Sequence, residues 1–199
     1  KSCPCTLPWK TNLSNRRGGG RRRRRGGGGR GHGGKDFGSA AATEKKNQDF
    51  YPNFNGIEGI KNIQVFANKA GLLRTKTDFE GIVFKGVSTD YDWTFFKEYL
   101  IAGRIPNLNL TRTKEVLLSQ KITNRLNLQL NDTILSTFPK NDINKIPSNR
   151  KYTIVGIYNT GFAQFDNSVM IGDLREVQRL NNWTNNQVGG FEVLLDNFD

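Results

Sequence analysis

The chain has 199 residues, enough for one ordinary domain with extensions, and no apolar run in it approaches the roughly 18 residues that a helical bilayer crossing needs. Its mean hydropathy is -0.61. The formal charge of +12 sits almost wholly at one end, because residues 1–46 hold 13 Lys and Arg against 2 acidic residues and leave residues 47–199 close to neutral.

The N-terminal stretch KSCPCTLPWKTNLSNRRGGGRRRRRGGGGRGHGG is glycine and arginine with almost nothing to bury, so it is expected to be disordered. One reading is an RGG-type nucleic-acid arm, in which arginine neutralises phosphate along a flexible backbone. The stacking half of that signal is missing, since Trp9 and Phe37 stand outside the Arg/Gly run, and nucleic acid is not the expected partner. The other reading is a foreign, cloning-derived leader over residues 1–46, favoured by the abrupt composition change around Gly38-Ser39-Ala40-Ala41-Ala42-Thr43. Cys3, Cys5 and His32 all lie in this stretch. Cys-Pro-Cys is too closely spaced for an ordinary zinc knuckle, and one histidine does not complete a site. Residues 47–199 contain neither Cys nor His, which excludes Cys–His and Ser–His–Asp catalysis and any His-based metal centre there, and weakly suits an oxidising compartment.

From Asn47 a globular pattern begins. Ile63, Val65 and Ala67 alternate, Leu72 to Thr75 follow Gly71, a polar turn spans Lys76 to Asp78, and Gly81 to Val87 return. This predicts a long antiparallel hairpin with a bulge or bend at Gly71. Asp90 and Asp92, two residues apart, admit a metal or acid–base reading. The structural reading is stronger: Asp92 stands where a helix N-cap belongs, the Trp93, Phe96, Leu100 spacing marks one apolar helix face, and Gly103 would end the helix.

Val116 to Leu118 read as a buried strand, with Ser119 capping a helix that carries Ile122 and Leu126. Asn131 tolerates the left-handed turn that leads into a strand from Thr133 to Phe138. Phe138 to Arg150, FPKNDINKIPSNR, then joins two strands that ought to pair. It is far longer than hairpin loops of about 2 to 5 residues, and such loops usually serve a function or move. Asp142 and Asn144 read as turn residues. Beyond it, Tyr152, Ile154 and Gly156 alternate with Thr153, Val155 and Ile157 as a strand. Gly161 and Asp166 bracket a turn that Asp166 holds through the backbone, Val169 to Ile171 form a short strand, and Asp173 with Glu176 makes a capping-box-like start to a helix with Leu174, Val177 and Leu180 on one face. Asn182 to Thr184 end that helix, and Gly189-Gly190 open a last strand in which Phe191, Val193 and Leu195 alternate with Glu192, Leu194 and Asp196. The fold class is α+β, mostly antiparallel β with short helices.

The stretch IPSNRKYTIVGIYNTGFAQFDNSVMIGDLREVQRL resembles the extracytoplasmic domain of lipoprotein-releasing ABC transporter permeases of the LolC/LolE type, within the wider MacB/FtsX group. That family's pattern is a proline-containing loop, a strand ending in V-x-G-I/T-F/Y, a Gly/Asp turn and a helix with a Q-R/x-L element, here Gln178, Arg179 and Leu180. The resemblance extends over about residues 47–199. It implies a porter-like first half over 47–110, a Sabre-like β/α subdomain over 111–189, and a returning porter strand over 190–199, so a partial porter subdomain whose unpaired edge could drive dimerisation.

The resemblance implies a non-catalytic, periplasm-facing domain at a bacterial inner membrane, without cofactor. Its partners would be a separate ABC ATPase subunit and a partner permease reached through membrane parts, a periplasmic lipoprotein carrier, and a lipoprotein cargo. In permeases of the LolC kind the loop matching 138–150 is a protruding hook that captures the carrier. Carried over by position, Phe138, Pro139, Ile143, Ile146 and Pro147 supply apolar and rigid contacts, and Lys140, Lys145, Arg150 and Lys151 a basic rim that would steer an acidic partner. Two relatives of that reading stay open, a MacB-like efflux domain and an FtsX-like regulator of cell-wall hydrolases. No P-loop of the form G-x-x-x-x-G-K-S/T is present. A small hydrolase or metalloenzyme built on Asp90, Asp92 or Asp166 is disfavoured by the missing Cys and His.

Overall fold

The computed structural model describes residues 43–52, 58–109, 111–140, 142 and 144–196. The leader over residues 1–42, with Cys3, Cys5 and His32, and Ile143 of the loop lie outside the described residues.

A two-stranded ladder pairs β1 (Glu44–Lys45) with β9 (Gln187–Val188). The main sheet holds β2 (Ile60–Arg74), β3 (Phe79–Val87), β4 (Leu100–Gly103), β5 (Glu115–Ser119), β6 (Thr133–Phe138), β7 (Ser148–Tyr158), β8 (Val169–Asp173) and β10 (Gly190–Leu195). Among the described residues four short helices accompany them: α1 (Thr94–Tyr99), α2 (Gln120–Arg125), α3 (Ala163–Asp166) and α4 (Leu174–Asn181). The fold is α+β and dominated by strands.

The pairings of β2 with β3, β3 with β8, β8 with β5, β5 with β7, β7 with β6 and β6 back to β2 close a ring of strands. Closure removes the free edges that an open sheet would leave along these strands. β3–β8 and β5–β7 are parallel, and the other pairings of the ring are antiparallel. β10 adds to the first half of β2, and β4 to the end of β7. The sheet thus takes strands from both sides of residue 110, the sequence-expected subdomain boundary.

Alternation decides which side chains fill the ring. On β2, Val65, Ala67 and Leu73 are wholly buried while Asn68, Ala70, Leu72 and Arg74 are exposed, the period of two that a strand with one buried face imposes. Phe84 of β3, Phe138 of β6 and Tyr152 of β7 meet as aromatic neighbours, with centroids 5.2 Å apart for Phe84–Tyr152, 6.0 Å for Phe84–Phe138 and 6.3 Å for Phe138–Tyr152. α2 adds Ile122, and α4 adds Leu174, Val177 and Leu180 over β2 and β3. The opposite face of β5 and β8 carries Leu117 and Ile171 into a second cluster with Tyr91, Phe96 and Tyr158.

Several local expectations meet a different outcome. Gly71 is neither bulge nor bend: β2 and β3 stay in continuous register from Phe66 to Arg74, and a Cβ at Gly71 would lie 2.6 Å from the Phe138 ring. The glycine gives that ring its seat. Register shifts fall elsewhere: at Lys61 of β2 opposite β10, at Ile101 of β4, and at Val155 of β7, the extra residue where Ile154 pairs with Val116 and Gly156 with Leu117. The α1 helix stops at Tyr99 and Leu100–Gly103 is a strand along β7. Gly103 has φ +78°, and a Cβ there would lie 2.2 Å from the Val155 oxygen. Asp92 serves α1 from one position further out than an N-cap: its Oδ1 accepts the Thr94 N–H at 2.9 Å, while Trp93 is the cap residue. Asp173 does cap α4, accepting from Arg175 N at 2.9 Å. Glu176 does not complete the box, because its buried carboxylate faces Arg112 and Tyr152.

Candidate functional site

The β6–β7 hairpin is in register from Thr133↔Thr153 to Phe138↔Ser148, so the connection between the strands runs from Pro139 to Pro147. Its base is rigid. Phe138 and Tyr152 are buried in the ring, and Thr137 also pairs with Leu72 of β2. The connection itself turns on Asp142, whose Oδ1 accepts the Asn144 N–H at 3.0 Å and whose carbonyl accepts the Lys145 N–H at 3.1 Å. This is the local side-chain-to-backbone bonding that favours Asp in turns.

The structure divides the loop residues named from sequence. Pro139, Lys145, Ile146 and Pro147 are exposed on the connection, with Ile146 at 86%. Lys140 is half-buried. Phe138 is corrected: at 1% exposure it is a core residue that anchors the base and offers no surface to a partner. Arg150 belongs to β7, where its guanidinium donates to the Asn149 carbonyl at 2.9 Å. Lys145 lies 3.8 Å from Asp142, both well exposed, a pair of small energetic consequence.

One residue at this base escaped the sequence. Lys69 of β2 lies beside Lys140, and its ammonium is pushed below the usual lysine range, first by burial and then by that neighbouring charge. Burial and the neighbouring charge both disfavour the charged form of Lys69. Nothing local signals the pairing; it follows from β6 joining β2. The outward surface continues across the sheet. One row of register partners is Lys151, Leu135, Arg74 and Phe79, and the next is Asn149, Thr137, Leu72 and Gly81. Phe79 is 75% exposed and Leu72 42%. The apolar side chains are interleaved with Arg74 and Lys151.

The three carboxylates weighed from sequence are engaged in structure. Asp90 Oδ2 accepts the Tyr51 hydroxyl at 2.8 Å and the Val65 N–H at 3.0 Å. Asp92 is held below the usual carboxylate range by hydrogen bonds from Thr94, and less by Lys61 at 3.1 Å. Asp166 is fully buried, and its oxygens accept Thr160 Oγ1 at 2.7 Å, Thr160 N at 3.2 Å and Gly161 N at 3.0 Å. It fastens the turn before α3, as expected. Among the described residues no three Asp, Glu, His or Cys side chains converge on a common point.

No protein-family model and no curated protein matches the sequence. Solved structures do. The chain is similar to the extracellular domain of the noncanonic ABC-type transporter YknZ from Gram-positive bacteria, at 17% identity and a TM-score of 0.50, over 71% of this chain and 68% of that one. It is also similar to the periplasmic region of MacB from Actinobacillus actinomycetemcomitans, at 14% identity and a TM-score of 0.49, over 79% and 75% of the two chains. The likeness to the YknZ domain is one of fold.

Proposed function

We propose that the chain is the non-catalytic, periplasm-facing domain of a bacterial inner-membrane ABC transporter permease, and that the Pro139 to Pro147 connection is its contact with a soluble lipoprotein carrier. The observation that carries this reading is the contrast within one hairpin. Phe138 and Tyr152 fix the base in a closed ring of strands, while Ile146, two residues before β7, is 86% exposed. A rigid support presenting an apolar side chain between prolines needs little ordering on association, which lowers the entropic cost of binding. Lys140 beside Lys69 places positive charge at the foot of the loop, and complementary charge raises the rate of encounter with an acidic partner. Likeness of fold to the YknZ domain supports the transporter setting.

ATP hydrolysis belongs in this reading to a separate subunit, with motion delivered through membrane segments of this permease and a partner. The domain contributes displacement and hand-over of lipoprotein cargo. Titration calorimetry of the chain against the lipoprotein carrier of its own organism tests it, beside a variant in which Pro139 to Pro147 are replaced by Asn-Gly, a sequence suited to a two-residue hairpin. Binding lost with the loop is the expected result. A folded chain that binds no carrier refutes the hand-over role and moves the assignment to a MacB-like efflux domain or an FtsX-like regulator of cell-wall hydrolases.

A further inference from the structure

An open cavity of about 400 Å³ lies beside α4, within the range of roughly 300 to 1,000 Å³ typical of small-molecule sites. Arg175 and Arg179, four apart on α4 and so on one face, line it together with Arg112 from the segment before β5 and with Asn182, Trp183 and Asn185 from the segment after α4. None of the described lining residues is a carboxylate.

Buried acids hold two of the three arginines. Glu176, 1% exposed, meets Arg112 Nε at 2.5 Å and accepts the Tyr152 hydroxyl at 3.3 Å. Asp173, 2% exposed, accepts from Arg175 Nε at 2.9 Å and Nη2 at 2.6 Å. Arg175 Nη2 also donates to the carbonyls of Leu108 at 3.0 Å and Thr111 at 3.2 Å. Arg179 is exposed, with no ion-pair partner among the described residues. The segment carrying the aromatic ring is fixed as well. Gln178 Nε2 donates to the carbonyls of Asn185 at 3.2 Å and Gln187 at 2.8 Å, and Trp183 packs against the main core and also lines the cavity.

We propose that this groove binds a phosphorylated saccharide, with Arg179 and the outer nitrogens of Arg112 on the phosphate and Trp183 beneath the sugar ring. Planar guanidinium forks match phosphate oxygens in a bidentate way that an ammonium does not. The apolar C–H face of a sugar suits a flat aromatic surface, and the amides of Asn182 and Asn185 can both donate to and accept from hydroxyls. Arg112 is held by a buried carboxylate rather than free to wave, so less entropy is lost when it engages a ligand.

The test is calorimetry on the full chain with glucose 6-phosphate, glucose and inorganic phosphate as probes. Glucose 6-phosphate is expected to bind at least tenfold more tightly than either fragment. Arg179→Ala should weaken it at least tenfold with no change in melting temperature, and Arg179→Lys should recover only part of the loss, since it keeps the charge without the fork. Equal affinity for inorganic phosphate and the sugar phosphate overturns the saccharide assignment. Binding that survives Arg179→Ala, as capture by the arginine-rich N-terminal stretch would, overturns the site, and so does no binding at all.

Discussion

If Gly71 is the seat of the Phe138 ring, adding one methyl there should cost stability that the same change elsewhere on the hairpin does not. A Cβ at Gly71 would meet Phe138 Cδ1 and Cε1 at 2.6 Å and the Thr137 carbonyl at 3.2 Å, whereas at Gly81, paired across the same ladder with Leu72, it would meet nothing within 4 Å. Both glycines are in strands and neither has a positive φ, so alanine is free of backbone strain at each. The loss of unfolded-state freedom on going from glycine to alanine, about 0.4–1 kcal/mol, therefore cancels between the variants. What is left is the overpacking. Phe138 cannot retreat, since Phe84 and Tyr152 stand 6.0 and 6.3 Å away centroid to centroid, and forced overpacking of this kind costs about 1–3 kcal/mol. Gly71→Ala should thus unfold in urea at lower concentration than Gly81→Ala, with a free-energy gap of about 1–3 kcal/mol at equal slope. Adding Phe138→Leu to Gly71→Ala should narrow that gap. Equal midpoints for the two single variants would refute the seat and return Gly71 to the role of a flexible bend.

Asp166→Asn should lower stability by about 1–3 kcal/mol in thermal unfolding, because an amide nitrogen would face donors that now find a carboxylate oxygen; a loss under about 0.5 kcal/mol, the scale of ordinary surface changes, would show that the turn is held otherwise. Asp92 and Glu115 are both held below their usual range, the first by Thr94 hydrogen bonds and the second by Arg104. A depressed folded-state pKa adds stability above the unfolded value and loses it as pH falls through the folded one, so the urea midpoint should hold from pH 7 to 5 and drop below about 4.5, less steeply in Asp92→Asn; an unchanged profile in that variant would exclude Asp92 as a contributor. Lys85 meets Glu192 at 2.6 Å with side chains 12% and 11% exposed, and Lys85→Met should cost about 3 kcal/mol by stranding the acid and speed amide exchange along β10. Much of that loss should return in Lys85→Met with Glu192→Leu, and a stable single variant would show that the Lys85–Glu192 pair does not hold β10.

Much of this fold could be read from local signals. β7 announced itself by alternating β-branched and aromatic residues, Ser119 and Asp173 by their place before apolar helix faces, and Asn131 by the left-handed conformation it adopts at φ +70°. What the sequence concealed depends on contacts between distant positions. The Trp93, Phe96, Leu100 spacing fits a helix face, yet Leu100 is already in a strand because β7 offers it an edge. Phe138 reads as an apolar loop residue until β2 brings Gly71 beneath it. Glu176 has the spacing of a capping box, but Arg112 and Tyr152 reach it from other elements. The candidate loop was legible from its length and prolines, while its basic foot was not, since Lys69 and Lys140 meet only across the β2–β6 pairing.

That pairing also bears on how movement would reach the loop. β2 is one strand of 15 residues, and at about 3.3 Å per residue it spans somewhat under 50 Å. Its first half carries β10, from Ile60↔Leu195 to Phe66↔Gly190, and its far end carries β6, from Leu72↔Thr137 to Arg74↔Leu135. Between them β3 follows without interruption from Phe66 to Arg74. A displacement applied at β10 is therefore passed along covalent backbone and a continuous ladder to the strand that ends in Phe138. Packed strands are stiff and transmit strain rather than absorb it. The loop from Pro139 to Pro147 lies immediately beyond the β6 end of that ladder, where Asp142 bonds the Asn144 and Lys145 amides.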